Sequence, residues 1–118
     1  MKFDPRNPQQ VHDAMVAKGF TAPNQHVVVL REEAEKVSAG GIIIPEAASR
    51  IVRMGVIVLV GDNVDIGVAA GDGVVLQVYE ATLAEVVVGE TKVVVEILHQ
   101  SDVLLRWPNG KVRGAAGN

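Results

Sequence analysis

Short β-branched segments separated by turn residues are the feature that most constrains how this chain folds. One such segment, residues 53–60, ends at a Gly-Asp-Asn turn, and a Gly-Asp-Gly turn precedes the next, residues 74–79. The chain holds 23 Val and 7 Ile but only one Trp, one Tyr and two Phe. β-Branched side chains suit a pleated, half-buried surface, so the pattern predicts an all-β fold.

The turn signals divide most of the chain into predicted strands. Residues 20–23 are predicted to form an edge strand, because Pro23 has no amide hydrogen to donate to a ladder. A hairpin is predicted around Gly89-Glu90-Thr91. Several short strands at this spacing indicate a small barrel or a sandwich. The other predicted strands cover residues 27–31, 53–60, 74–79, 85–88, 92–98 and 103–107.

The two ends of the chain differ from the strand region. Asn7 followed by Pro8 is typical of a helix start, and Gly19 is placed to end that helix. About three turns are too short to be stable alone, which favours a helix packed on the domain over one that binds a partner. We therefore divide the chain into an extension at 1–19, a strand region at 20–107 and a flexible tail at 108–118.

Composition argues against several classes of function. A net charge of −3 without any run of Lys or Arg provides no basic surface for nucleic acid. The chain has no Cys, and its three histidines, His12, His26 and His99, are far apart in sequence, so neither a disulfide nor a metal site is predicted. No motif of a catalytic nucleophile occurs. We expect a protein that is not an enzyme and needs no cofactor.

Location follows from the apolar segments. The longest apolar segment, residues 56–60, is far shorter than the roughly 20 residues that cross a bilayer. The N-terminus has no apolar stretch typical of a secretory signal. The sequence predicts a soluble, cytoplasmic protein.

Residues 32–52 show neither strand nor helix periodicity, and connections that long tend to be functional or disordered. Two glycines lead into Ile42, Ile43 and Ile44, which Pro45 follows. Consecutive side chains of a strand point to opposite faces, so three isoleucines cannot all face one core. From the residues alone, a docking strip and an ordinary core strand stay equally open.

Residues 38–44, Ser-Ala-Gly-Gly-Ile-Ile-Ile, resemble the mobile loop of the GroES-type co-chaperonin family. The likeness extends to residues 54–61, similar to the family's strand after the loop, and to Gln-Ser-Asp-Val-Leu at 100–104, similar to its Glu-Ser-Asp-Ile-Leu. It covers residues 20–107 and implies a small GroES-like β-barrel with a mobile loop at about 32–52.

The resemblance also implies a function. The implied function is to cap a GroEL-type chaperonin as a homoheptameric ring. The chaperonin binds the ATP, and unfolded client proteins are enclosed in the complex. The chaperonin-binding residues are then Ile42, Ile43 and Ile44, after a hinge of Ser38, Ala39, Gly40 and Gly41. The implied subunit contacts are Phe20, Thr21, Ala22, Pro23, Val103, Leu104, Leu105 and Trp107.

Some features depart from the family pattern. Residues 61–72 are shorter than the family's roof hairpin, so Val64, Ile66 and Val68 are predicted to form a stub. A reduced roof and added termini are also features of virus-encoded members, so a viral origin in a host cytoplasm stays open. Two further alternatives stay open: an oligomeric scaffold protein of the same fold that engages no chaperonin, and a Trp107 that caps its own barrel.

Overall fold

The computed structural model describes residues 3–31, 52–77 and 82–108. Within these ranges the strands form one six-stranded sheet of order β4-β5-β1-β2-β3-β6, and every neighbouring pair is antiparallel. The predicted all-β fold with a short N-terminal helix is confirmed. The elements are α1 (Pro8–Ala17), β1 (His26–Arg31), β2 (Val52–Val60), β3 (Gly73–Gln77), β4 (Thr82–Val88), β5 (Thr91–His99), a 3₁₀ turn (Gln100–Asp102) and β6 (Val103–Trp107).

The connection between β5 and β6 shows that the sheet must coil. Three strands lie between β5 and β6 in the sheet order, which in a flat sheet places them about 19 Å apart. The chain from His99 to Val103 spans at most about 14 Å, so a flat sheet is excluded. Accordingly, Leu98 of β5 and Val103 of β6 both pack on the same apolar cluster.

This inner cluster is built from alternate residues of the strands. It comprises Val27, Val29, Ile57, Val74, Leu76 and Leu98, all buried. Residues 61–72 contain no helix or strand, but Val64 and Val68 pack against the cluster while Ile66 stays exposed. The connection from β2 to β3 therefore covers the cluster with two valines.

Helix α1 covers the opposite face of the sheet. Its N-cap is Asn7, whose Oδ1 accepts the backbone N–H of Gln10 at 3.1 Å, as Asn-Pro predicts. Val11 and Met15 are buried in an outer cluster with strand residues that alternate with the inner ones. Both faces of β1 are thus covered, which explains why Val27, Val28, Val29 and Leu30 are all buried. No helix in the described ranges is long and apolar enough to cross a membrane.

A β-bulge joins the helix to the sheet. Val28 pairs with Leu59 and Val29 pairs with Ile57, so Val58 is an extra residue in β2. The Val58 carbonyl oxygen lies 2.7 Å from Nδ1 of His12 on α1. Because a carbonyl oxygen only accepts, Nδ1 of His12 carries the proton. Helix α1 therefore donates a hydrogen bond to the carbonyl of the bulged residue, Val58.

Several predicted boundaries differ from the structure, most of them by one residue. Residues 20–23 belong to no strand: the N–H of Phe20 donates to the Met15 carbonyl at the end of α1, and Ala22 packs in the outer cluster. Strand β4 begins at Thr82, earlier than the predicted 85, because Thr82 already pairs with Ile97 of β5. Strand β3 begins at Gly73 and is described to Gln77, and the rest of the predicted strand lies outside the described residues.

Candidate functional site

The predicted docking residues are bracketed by two adjacent strands. Ser38, Ala39, Gly40, Gly41, Ile42, Ile43 and Ile44 themselves lie outside the described residues. Strand β1 ends at Arg31 and β2 begins at Val52, and Arg31 pairs with Gly55 in the antiparallel ladder. Residues 32–51 therefore connect two neighbouring strands at the same end of the described sheet.

A buried carboxylate lies at this end of the sheet. Glu96 of β5 is only 2% exposed, and its Oε1 accepts hydrogen bonds from Nε of Arg31 at 2.7 Å and from Nη1 of Arg53 at 3.1 Å. Both guanidinium groups are partly exposed. Two cations on one carboxylate leave these three side chains with a formal charge of +1. Charge-assisted hydrogen bonds of this type are among the stronger ones in proteins.

Strands β1 and β2 approach closely beside this carboxylate. A Cβ atom at Gly55 would overlap Cγ1 of Val29 and would lie 2.9 Å from the Leu30 carbonyl oxygen. A side chain at position 55 would push the two strands apart. Glycine is therefore required where the ends of residues 32–51 are fixed to the sheet.

Strand β6 is one edge of the sheet and carries exposed apolar side chains. Leu104 is 53% exposed and Leu105 is 48% exposed. Val103 pairs with Leu76 and Leu105 pairs with Val75, so Leu104 is an extra residue in a bulge. An edge strand with exposed leucines provides both backbone groups and apolar surface for another chain.

The remaining predicted contact residues do not all face solvent. Phe20, Thr21 and Pro23 are exposed, whereas Ala22 is buried against the outer cluster. The indole of Trp107 lies over Gly73, where a Cβ atom would overlap the ring. Its Nε1 is buried, with no hydrogen-bond partner in the described part of the chain. Trp107 thus contacts its own sheet.

Two histidines that are distant in sequence are neighbours in the fold. His26 pairs with His99 across β1 and β5, and the ring centroids are 5.8 Å apart in an edge-to-face arrangement. Nδ1 of His99 accepts the N–H of Ser101 at 3.1 Å, and its Nε2 lies 3.2 Å from Oε1 of Gln25. Both nitrogens of His99 are thus engaged, and the described residues contain no group of side chains suited to a metal ion.

Glu96 was not identified as a site residue from the sequence. Its signal was the single acidic residue in the otherwise apolar Val-Val-Val-Glu-Ile-Leu at 93–98. Alternation along β5 places it on the same face as Leu98 of the inner cluster, and it is paired with Val29. An inward-facing carboxylate requires a cation, but the sequence does not show which of the 11 Lys and Arg residues supply it.

Comparisons with known proteins place these features in a family context. The family model described as the chaperonin 10 kDa subunit matches residues 20–106. Co-chaperonin GroES 1 of Rhodopirellula baltica is 33% identical over 91 residues, which cover 70% of this chain and 86% of that protein. Co-chaperonin GroES 2 of the same organism is 34% identical over 70 residues, or 52% of this chain and 75% of that protein. The matched region contains residues 32–51 and excludes α1.

Proposed function

The chain belongs to the chaperonin 10 kDa subunit family, and we propose that it acts as a co-chaperonin. In this proposal it forms a ring in the cytoplasm that caps a GroEL-type chaperonin and assists the ATP-dependent folding of enclosed client proteins. The supporting observation is a family match that runs through both strands bracketing the Ser-Ala-Gly-Gly-Ile-Ile-Ile motif. The chain itself catalyses no reaction and needs no cofactor, since the chaperonin binds the nucleotide.

Docking is assigned to Ile42, Ile43 and Ile44, with Ser38 to Gly41 as the hinge. Burying one such strip removes about 200 to 300 Å² of apolar surface from water, worth about 5 to 8 kcal/mol. Ordering the glycines that precede it offsets much of this gain. One copy therefore binds weakly, and several copies on one ring gain by effective concentration.

The ring requires each protomer to present two different surfaces, because a head-to-tail contact joins unlike patches. We assign one surface to edge strand β6, with exposed Leu104 and Leu105. The other is the segment at 20–23, where Phe20 is 45% exposed. Residues 20–23 belong to no strand of the described sheet, and the Phe20 N–H and the Pro23 carbonyl are already hydrogen-bonded within the chain, so pairing with β6 of a neighbouring copy would use the backbone groups of Thr21 and Ala22.

The test compares one substitution in the motif with a matched one outside it. Ile43→Ser should abolish co-sedimentation with an ATP-bound GroEL-type ring while leaving the protein folded. Val87→Ser is the control, because Val87 is an exposed aliphatic residue on β4. Normal capture of the Ile43→Ser protein would refute the docking assignment. A wild-type chain that oligomerises but is never captured would instead be a scaffold protein of this fold.

A further inference from the structure

One carboxylate holds together the two strands that lead into and out of residues 32–51. Arg31 is the last residue of β1, and Arg53 is the second residue of β2. Both donate to Oε1 of Glu96, which lies on β5. Since β1 lies between β2 and β5, the side chain of Arg53 reaches across β1 to make its contact. Three strands are thus connected at the end of the sheet where the segment begins and ends.

Burial of this carboxylate is not explained by core stability. Glu96 lies on the face that carries Leu98 and Val29, both in the inner cluster. Withdrawing a carboxylate from water is costly, and an aliphatic side chain in such a position is often equally or more stabilising. The carboxylate differs from an aliphatic side chain in one respect: it can bind two guanidinium groups in fixed directions.

We propose that Glu96 is a positioning residue for chaperonin docking. It holds Arg31 and Arg53, which flank residues 32–51, at fixed places on the sheet, so that the strip of every protomer is attached at the same two points. This inference rests on the proposed function. Arginine suits the task because its planar group loses little freedom for each hydrogen bond it forms.

The physical benefit is preorganisation. A segment with fixed ends samples fewer positions before binding, so less entropy is lost when the strip docks. The gain applies to every protomer of the ring. Once one strip has bound, the effective concentration of the neighbouring strips at their own binding sites decides how tightly they bind. Loosening one end of residues 32–51 should therefore weaken the binding of the whole ring to the chaperonin more than it weakens the binding of one strip alone.

The decisive variants are Arg53→Gln and Glu96→Gln, and Glu96→Gln, which removes the charge that both arginines bind, should change exchange and Kd in the same direction as Arg53→Gln. Arg53→Gln releases only the β2 end, and it should fold because Arg53 is partly exposed and Glu96 keeps Arg31. We expect amide hydrogen exchange at residues 52–55 to rise about tenfold, while exchange at 86–88 of β4, which pairs with β5 and not with β2, stays unchanged. For rings selected as assembled by native mass spectrometry, the Kd for an ATP-bound chaperonin should rise at least about tenfold. Arg53→Lys should restore part of this affinity.

The controls are Glu85→Gln and Lys92→Gln. Glu85 and Lys92 form an exposed pair, 3.9 Å apart, on the β4–β5 hairpin. Replacing them makes the same changes of charge as Glu96→Gln and Arg53→Gln, but away from the ends of residues 32–51. Both should leave exchange and Kd unchanged. Assembled Arg53→Gln rings with wild-type exchange at 52–55, or with a wild-type Kd, overturn the positioning role. Wild-type rings that bind no chaperonin overturn the proposed function. In that case hydrogen exchange at residues 52–55 still decides whether Glu96 holds the ends of residues 32–51.

Discussion

At the scale of single residues, the contact between Gly73 and Trp107 determines how β6 joins the sheet. The sequence marks Gly73 only as part of a Gly-Asp-Gly turn. In the structure it begins β3 and pairs with Trp107, whose indole occupies the space that a side chain would need. The turn at this point could be predicted from local chemistry. The contact could not, because it joins residues 34 positions apart (107 minus 73).

Gly73→Ala should lower the free energy of unfolding by about 1 to 3 kcal/mol, the usual cost of overpacking a filled site. In a Trp107→Leu background, which removes the overlapping ring, the same substitution should cost less. Urea unfolding of the four proteins of this double-mutant cycle, at one protomer concentration, measures the coupling. Equal costs in the two backgrounds would show that the ring is not what excludes the side chain.

At the scale of elements, α1 is a structural layer of the domain rather than an appendage. The sequence predicted its start at Asn7-Pro8 and its packing on the domain. It could not show which face of the sheet the helix covers, because that depends on long-range strand order. The strand nearest to α1 is β2, whose Val58 and Leu59 lie in the outer cluster with Val11 and Met15, together with Val28 and Leu30 of β1 and Val93 and Val95 of β5.

A matched pair of valines in α1 tests this layer. Val11 is 1% exposed and Val16 is 53% exposed. Val11→Ala should lower the free energy of unfolding by about 1.5 to 3 kcal/mol, from lost burial and the cavity left behind. Val16→Ala should change it by less than about 0.5 kcal/mol. Thermal and urea unfolding measure both, and similar costs for the two variants would mean that α1 does not dock as described.

At the scale of the whole molecule, the proposed co-chaperonin function requires a ring built through β6. Leu104→Asp places a charge on the exposed bulge of this edge strand, and it should reduce assembly at least about tenfold, since an unpaired charge in an interface is costly. The protomer should still fold, because Leu104 is exposed within the chain. Ile66→Asp, at an exposed position between β2 and β3, is the control. Sedimentation velocity distinguishes rings from protomers, and intact Leu104→Asp rings would exclude β6 as the contact.

The sequence revealed the candidate docking motif more readily than the structure around it. Three isoleucines after two glycines are visible as a local pattern, and the family likeness assigns them a role. The anchoring of the segment ends by Glu96 depends on β5 lying beside β1, a pairing of residues about 70 positions apart. Such pairings follow from the coiled sheet as a whole, so no local pattern around Arg31 or Arg53 predicts them.

The most direct test of the proposed capping of a chaperonin is native mass spectrometry of the wild-type chain mixed with a GroEL-type chaperonin, with and without ATP. We expect a chaperonin carrying seven copies of this chain on one end, formed only when nucleotide is present. A chaperonin that carries no copies in either condition, beside intact rings of this chain, would contradict it.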